Sequence, residues 1–166
     1  GAPLLDLLTE LPRLREQVLW VSLSGAAGTG SELGPQAAEM RGALAEALKL
    51  TDPGRSWHAD RTPVLALSGW LTRLAAALGK IGEDLLLLTQ TGIGEVSLGA
   101  AGSSSTMPQK QNPVGPSAMV ALARQVAGLN AVLQGAGLHR QDRDGAAWFT
   151  EWMTLPQLCL SVASAL

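Results

Sequence analysis

Residues 63–88 read PVLALSGWLTRLAAALGKIGEDLLLL, and this stretch decides the fold class. Val64, Leu67, Leu71, Leu74, Leu78, Ile81, Leu85 and Leu88 recur at alternating steps of three and four, the spacing of a heptad seam along one helix face. Pro63 suits a first helical turn, where its missing amide has no intrahelical partner to lose, and Gly92 follows the last apolar position as a stop. Such a helix is about 40 Å long. In a chain of 166 residues it implies a bundle of long helices.

The flanks agree. Leu4 to roughly Gly25 places Leu8, Leu11, Leu14, Val18 and then Val21 on one face, and reads as a helix that Pro12 should kink or delay. A short helix is expected from Pro35 to Leu50, ended by Asp52-Pro53-Gly54. Another runs from about Pro113 to Gln134 with Val114, Val120, Val126 and Leu129 inward, and a last from about Asp144 to Leu166 with a kink at Pro156. Glu95-Val96-Ser97-Leu98 is too short to make a sheet. The expected architecture is all-α, one helical-bundle domain over residues 1–166. Ala75, Ala76, Ala77, Ala121, Ala123, Ala127 and Ala131 let helices approach closely but bury little area each, at about 25 cal/mol per Å². The seam of the long helix is therefore more easily buried between subunits, and oligomerisation is expected.

Bulk properties narrow the function. The chain is 46% hydrophobic and 16% charged, with net charge -2 and a pI near 5.6. Nothing in that balance draws it to nucleic acid or an anionic membrane surface. One cysteine, Cys159, excludes an intrachain disulfide and fits a reducing compartment. No apolar run approaches the roughly 20 residues of a membrane span, and no signal-peptide pattern opens the chain. A cytoplasmic protein is expected. The opening Gly1-Ala2-Pro3 and the unstopped helical pattern up to Leu166 suggest a piece of a larger protein.

Four clusters carry chemistry. Ser103-Ser104-Ser105-Thr106-Met107-Pro108-Gln109-Lys110-Gln111-Asn112-Pro113 sets hydroxyls, a point charge and an amide between two prolines. A Gly/Ser linker has no use for Met107-Pro108 or for Lys110 to Pro113. A mobile loop over about 95–112 that closes on a substrate does, and Lys110 with loop amides could lower a serine pKa. Gly25-Ala26-Ala27-Gly28-Thr29-Gly30 lacks the lysine of a phosphate loop; it is either a packed helix end or a carboxylate cradle with the Thr29 hydroxyl. In Trp57-His58-Ala59-Asp60-Arg61, Asp60 is a candidate cap for the long helix, and Arg61 could grip a carboxylate with its two-pronged donor face. His139-Arg140-Gln141-Asp142-Arg143-Asp144 reads as a solvated turn between helices, with Arg143 a further candidate. No His/Cys/Asp spacing resembles a metal site.

Ser104 to Pro113 closely resembles the signature loop of the fumarase/aspartase superfamily, and Gly25 to Thr29 resembles its substrate-binding glycine region. Within it, Trp57-His58 with Arg61, Asn112 to Gly115, Trp148, Glu151-Trp152 and Thr154-Leu155-Pro156 look most like the bacterial carboxymuconate cycloisomerase branch. The resemblance implies the central domain of homotetramers whose long helices form a core bundle. It also implies cofactor-free interconversion of a carboxymuconate and its lactone through an aci-carboxylate intermediate, in aromatic-acid catabolism, with a small polycarboxylate as the partner. By the same resemblance Ser104 moves the carbon-bound proton, and Lys110 and Asn112 hold a carboxylate and stabilise the enolate-like intermediate. Thr29 and Arg61 orient carboxylates, Ser105 and Met107 line the site, and His58 and Arg143 are further candidates.

Several positions depart from the branch. Ser103 stands where a glycine usually precedes the serines, Gln109 and Gln111 replace more basic residues, and Gln141 falls where a histidine is frequent. Ser117 occupies the position of a glutamate in adenylosuccinate lyases, which argues against that type. The alternatives are another lyase of the superfamily, of adenylosuccinate or argininosuccinate type, and a helical oligomerisation module without chemistry. The superfamily builds each site from segments of three subunits. A Thr-His region before Gly1 and a further domain after Leu166 are expected, so the 166 residues alone should lack activity.

Overall fold

A computed structural model describes residues 1–99, 102–103 and 111–166. Among them five helices form the bundle: α1 Ala2–Val18, α2 Ala37–Leu48, α3 Thr62–Leu88, α4 Val114–Ala136 and α5 Gly145–Ala165. A 3-10 turn, Ser31–Gln36, leads into α2. The strands among the described residues are two-residue pieces, β1 Gly102–Ser103 and β2 Gln111–Asn112, paired antiparallel. The fold is all-α, as the heptad spacing implies. Residues 100, 101 and 104–110, the heart of the expected signature loop, lie outside the described residues.

The central helix is α3, which packs against α1, α4 and α5. The core joins Ala75 of α3 to Val126 and Leu133, seven apart on α4, and to Leu158 and Val162, four apart on α5. Those spacings keep each pair on one helix face. Yet the face α3 turns inward is made of small residues: Ser68, Ala75, Gly79 and Gly82 are buried. A Cβ on Gly79 would lie 2.7 Å from the Ala123 methyl, and one on Gly82 would lie 2.9 Å from the Pro116 carbonyl oxygen. The missing side chains let the α4 backbone come close. The leucine seam flanks this stripe instead of filling it. Leu78 is buried, Leu71 and Leu74 are half-covered beside the core, and Ile81 is 38% exposed.

Several expectations need correction. The first helix ends at Val18, not near Gly25, because Val21 donates to the Thr51 carbonyl (2.9 Å) and Thr51 donates to that of Leu19 (2.8 Å). This pairing takes backbone groups that another helical turn would need. The helix starts at Ala2, so Pro12 does not delay it. Val114 is exposed, being the first residue of α4 at the end of the bundle. By length and composition α3 is apolar enough to cross a membrane, contrary to the sequence expectation; in the chain it packs as a bundle helix among three others.

Candidate active site

The first end of α3 gathers three segments. Arg61 occupies the cap position expected for Asp60, and Asp60, one residue earlier, accepts the Thr62 amide at 3.1 Å. Its carboxyl is held below the usual range by that Thr62 contact and, with burial opposing, by Arg55. Just upstream, Trp57 donates its indole N–H to the Val21 carbonyl at 2.9 Å, tying the start of α3 to the segment that leads into the glycine region. There Gly28 has φ +77, and a Cβ on it would meet Ser56 Oγ at 2.9 Å and His58 Nδ1 at 3.8 Å. Glycine is thus required both by conformation and by the approach of the Ser56-Trp57-His58 segment. The Thr29 hydroxyl lies 3.0 Å from that of Ser31 and is exposed.

The third segment is α5. Asp144 caps it, accepting the Ala146 and Ala147 amides at 3.1 and 3.3 Å. The Arg140 guanidinium, with the Ala147 and Arg140 amides, holds the Asp144 carboxyl down to about 2. The capped helix presents Trp148, Glu151 and Trp152 toward the start of α3. Trp148 donates its N–H to the His58 carbonyl at 3.4 Å and stacks on Trp152 with centroids 5.9 Å apart. His58 and His139 both approach Trp148 edgewise, at 6.2 and 6.5 Å, and the Arg143 guanidinium lies 5.1 Å from its ring. Between these groups is a cavity of about 280 Å³ lined by Ser22, Trp57, His58, Arg143, Trp148 and Trp152, with the Arg61–Glu151 pair in its wall. Nδ1 of His58 is buried without a hydrogen-bond partner among the described residues, as are both ring nitrogens of His139.

Arg61 is paired within the chain. Its fork is filled from within the chain: Nε and Nη2 donate to the two Glu151 carboxylate oxygens at 2.8 and 2.7 Å. Glu151 was not singled out as a site residue. Its signal was there, the sole charge between Gly145 and Leu166. His139 is the other omission. The turn around it is solvated as expected, with Arg140, Gln141, Asp142 and Arg143 exposed, but its imidazole turns back onto Trp148.

Asn112 is elsewhere. It pairs with Gly102 and precedes α4, whose Pro116 lies against Gly82 in the last turns of α3. Thr29, His58, Arg61 and Arg143 gather at the other end of that 27-residue helix, about 40 Å away. Ser104, Ser105, Met107 and Lys110 lie outside the described residues. Among the described residues, a single copy therefore does not bring Asn112 to Thr29, His58, Arg61 and Arg143. Among the described residues no group of three His, Cys, Asp or Glu is placed to hold a metal.

Residues 5–128 match the family model described as Lyase. The 3-carboxy-cis,cis-muconate cycloisomerase of Pseudomonas aeruginosa is 42% identical over 159 residues, covering 94% of this chain and 35% of the relative. The nitrosuccinate lyase of Streptomyces davaonensis is 37% identical over 176 residues, covering 96% and 36%. The crystal structure of 3-carboxy-cis,cis-muconate lactonizing enzyme from Pseudomonas putida superposes with TM-score 0.87 at 37% identity, over 98% of this chain and 36% of that one. The chain thus spans about a third of the length of these relatives. With its helical bundle, glycine region and signature segment, the chain belongs to this lyase family of the fumarase/aspartase superfamily, a family of enzymes.

Proposed function

We propose that these residues supply the central helical segment of a cofactor-independent cycloisomerase that interconverts 3-carboxy-cis,cis-muconate and its lactone in aromatic-acid catabolism. One observation carries it: a cavity beside the glycine region, walled by indoles and edged by Arg143 and His58. Indole faces suit a flat conjugated acid, and cationic and N–H donors suit its carboxylates. The similarity to cycloisomerases along 94% of the chain supports the same chemistry.

In that reaction one substrate carboxylate adds its oxygen across a carbon–carbon double bond. Charge accumulates on the neighbouring carboxylate as an aci-carboxylate, which Lys110 and Asn112 stabilise. The Ser104 hydroxyl then delivers a proton to carbon, and in reverse its alkoxide removes it. Thr29 and Arg143 orient the remaining carboxylates. Because the glycine region and Asn112 lie at opposite ends of α3, the two halves of each site come from different copies of a homotetramer. In the complete gene product that contains these residues, Ser104→Ala should slow loss of the conjugated acid's absorbance by roughly 10²–10⁴-fold. Undiminished turnover in that variant would sink the assignment.

A second reading is a lyase acting on a succinyl-type substrate, favoured by the 37% identity to the nitrosuccinate lyase. A substrate panel separates the two. Turnover of substituted succinates with none of carboxymuconate would select the lyase.

A further inference from the structure

The Arg61–Glu151 pair is a buried charge cluster that the reaction above does not use. Its side chains are 11% and 8% exposed. The Nε–Nη2 edge of the Arg61 guanidinium is filled by the buried Glu151 carboxylate, which closes that edge to a second one. Its remaining contacts also point into the protein. Nη1 donates to the Trp57 carbonyl at 3.3 Å, and the guanidinium carbon lies 5.0 Å from the Trp57 ring centroid. Trp57 holds Val21, which leads into the glycine region, and the adjoining His58 faces Gly28. Through these links the pair joins α5 and the start of α3, which line the cavity, to the Val21-Ser22 segment, whose Ser22 also lines it and which leads into the glycine region. A well-packed apolar pair often matches a buried ion pair in stability, so stability alone does not account for charges here.

We infer that Arg61 and Glu151 are positioning residues: together they set the glycine region in register with the indole wall, and Arg61 does not bind substrate. On the cycloisomerase reading above, displacing that register misplaces substrate carboxylates that are still bound, so the rate falls more than the affinity.

The test uses the complete gene product with Arg61→Lys, Glu151→Gln and the double variant R61Q/E151Q. Each single change should lower kcat about 100-fold while KM stays within about threefold. The double variant should be no worse than the worse single, because both break one link. Near-ultraviolet circular dichroism of the tryptophans should change in each variant while the far-ultraviolet helical signal does not. If Arg61→Lys raises KM about tenfold or more and Glu151→Gln leaves both constants at the wild-type level, Arg61 binds substrate and the inference fails. If the unmodified protein turns over no carboxymuconate, the cycloisomerase reading fails separately. The tryptophan signal then decides alone, and an unchanged spectrum in the variants overturns the positioning role. Should a single variant fail to fold, the double variant, which leaves no unpaired buried charge, serves for both measurements.

Discussion

At Gly28 a positive φ coincides with a contact that leaves no room for a side chain, the Ser56 hydroxyl lying 2.9 Å from where a Cβ would sit. Gly28→Ala should cost at least roughly 1–2 kcal/mol from the left-handed backbone alone, read as a lower denaturant midpoint. Asp144 carries a pH-dependent contribution. Its folded pKa, about 2, lies below the ordinary value, so the cap's stabilisation is complete above that ordinary value. It is lost as pH falls through about 2. Acid titration of helicity should show this loss, and Asp144→Asn should remove that part of the acid dependence. At this scale the residue types were legible and the partners were not. The donor face of Arg61 follows from its chemistry, but Glu151 stands 90 positions away and is reached only when α5 folds across the start of α3. The same crossing gathers His58 and His139 on Trp148.

Among the elements, α3 and α4 meet through absent side chains, and α4 and α5 through large ones. Gly79→Val should therefore destabilise by roughly 1–3 kcal/mol through overpacking, because its Cβ would sit 2.7 Å from the Ala123 methyl. Leu158→Ala, at a fully buried position, should cost about 2–5 kcal/mol through the cavity it leaves. Chemical denaturation measures both, and two neutral results would refute the packing described. Helix spans were largely legible, since α3 and α5 follow their periodicity and caps closely. The end of α1 was not, because a pairing with Thr51 decides it. The inward face of α3 was also hidden: hydrophobic spacing marks the leucines, whereas close approach selects Ser68, Ala75, Gly79 and Gly82.

For the whole molecule, the half-covered seam and the distance of Asn112 from the cavity at the start of α3 point the same way. Ile81 is 38% exposed on α3, while Trp152, Met153 and Leu160 are more exposed still on α5. If copies cover the seam in a tetramer, Ile81→Asp should shift the complete gene product to a smaller species and lower its activity together. Mass-resolved chromatography checks this, and an unchanged tetramer would argue for a different face. Periodicity, proline and glycine placement and the signature residues determined the helical class and the family without coordinates, because they act through neighbours in the chain. Which charges neutralise each other, which stripe of α3 turns inward and which candidates share a cavity were decided only by the tertiary structure. Those outcomes depend on helices meeting across long separations, where distance and burial, rather than residue type, determine what each side chain can do.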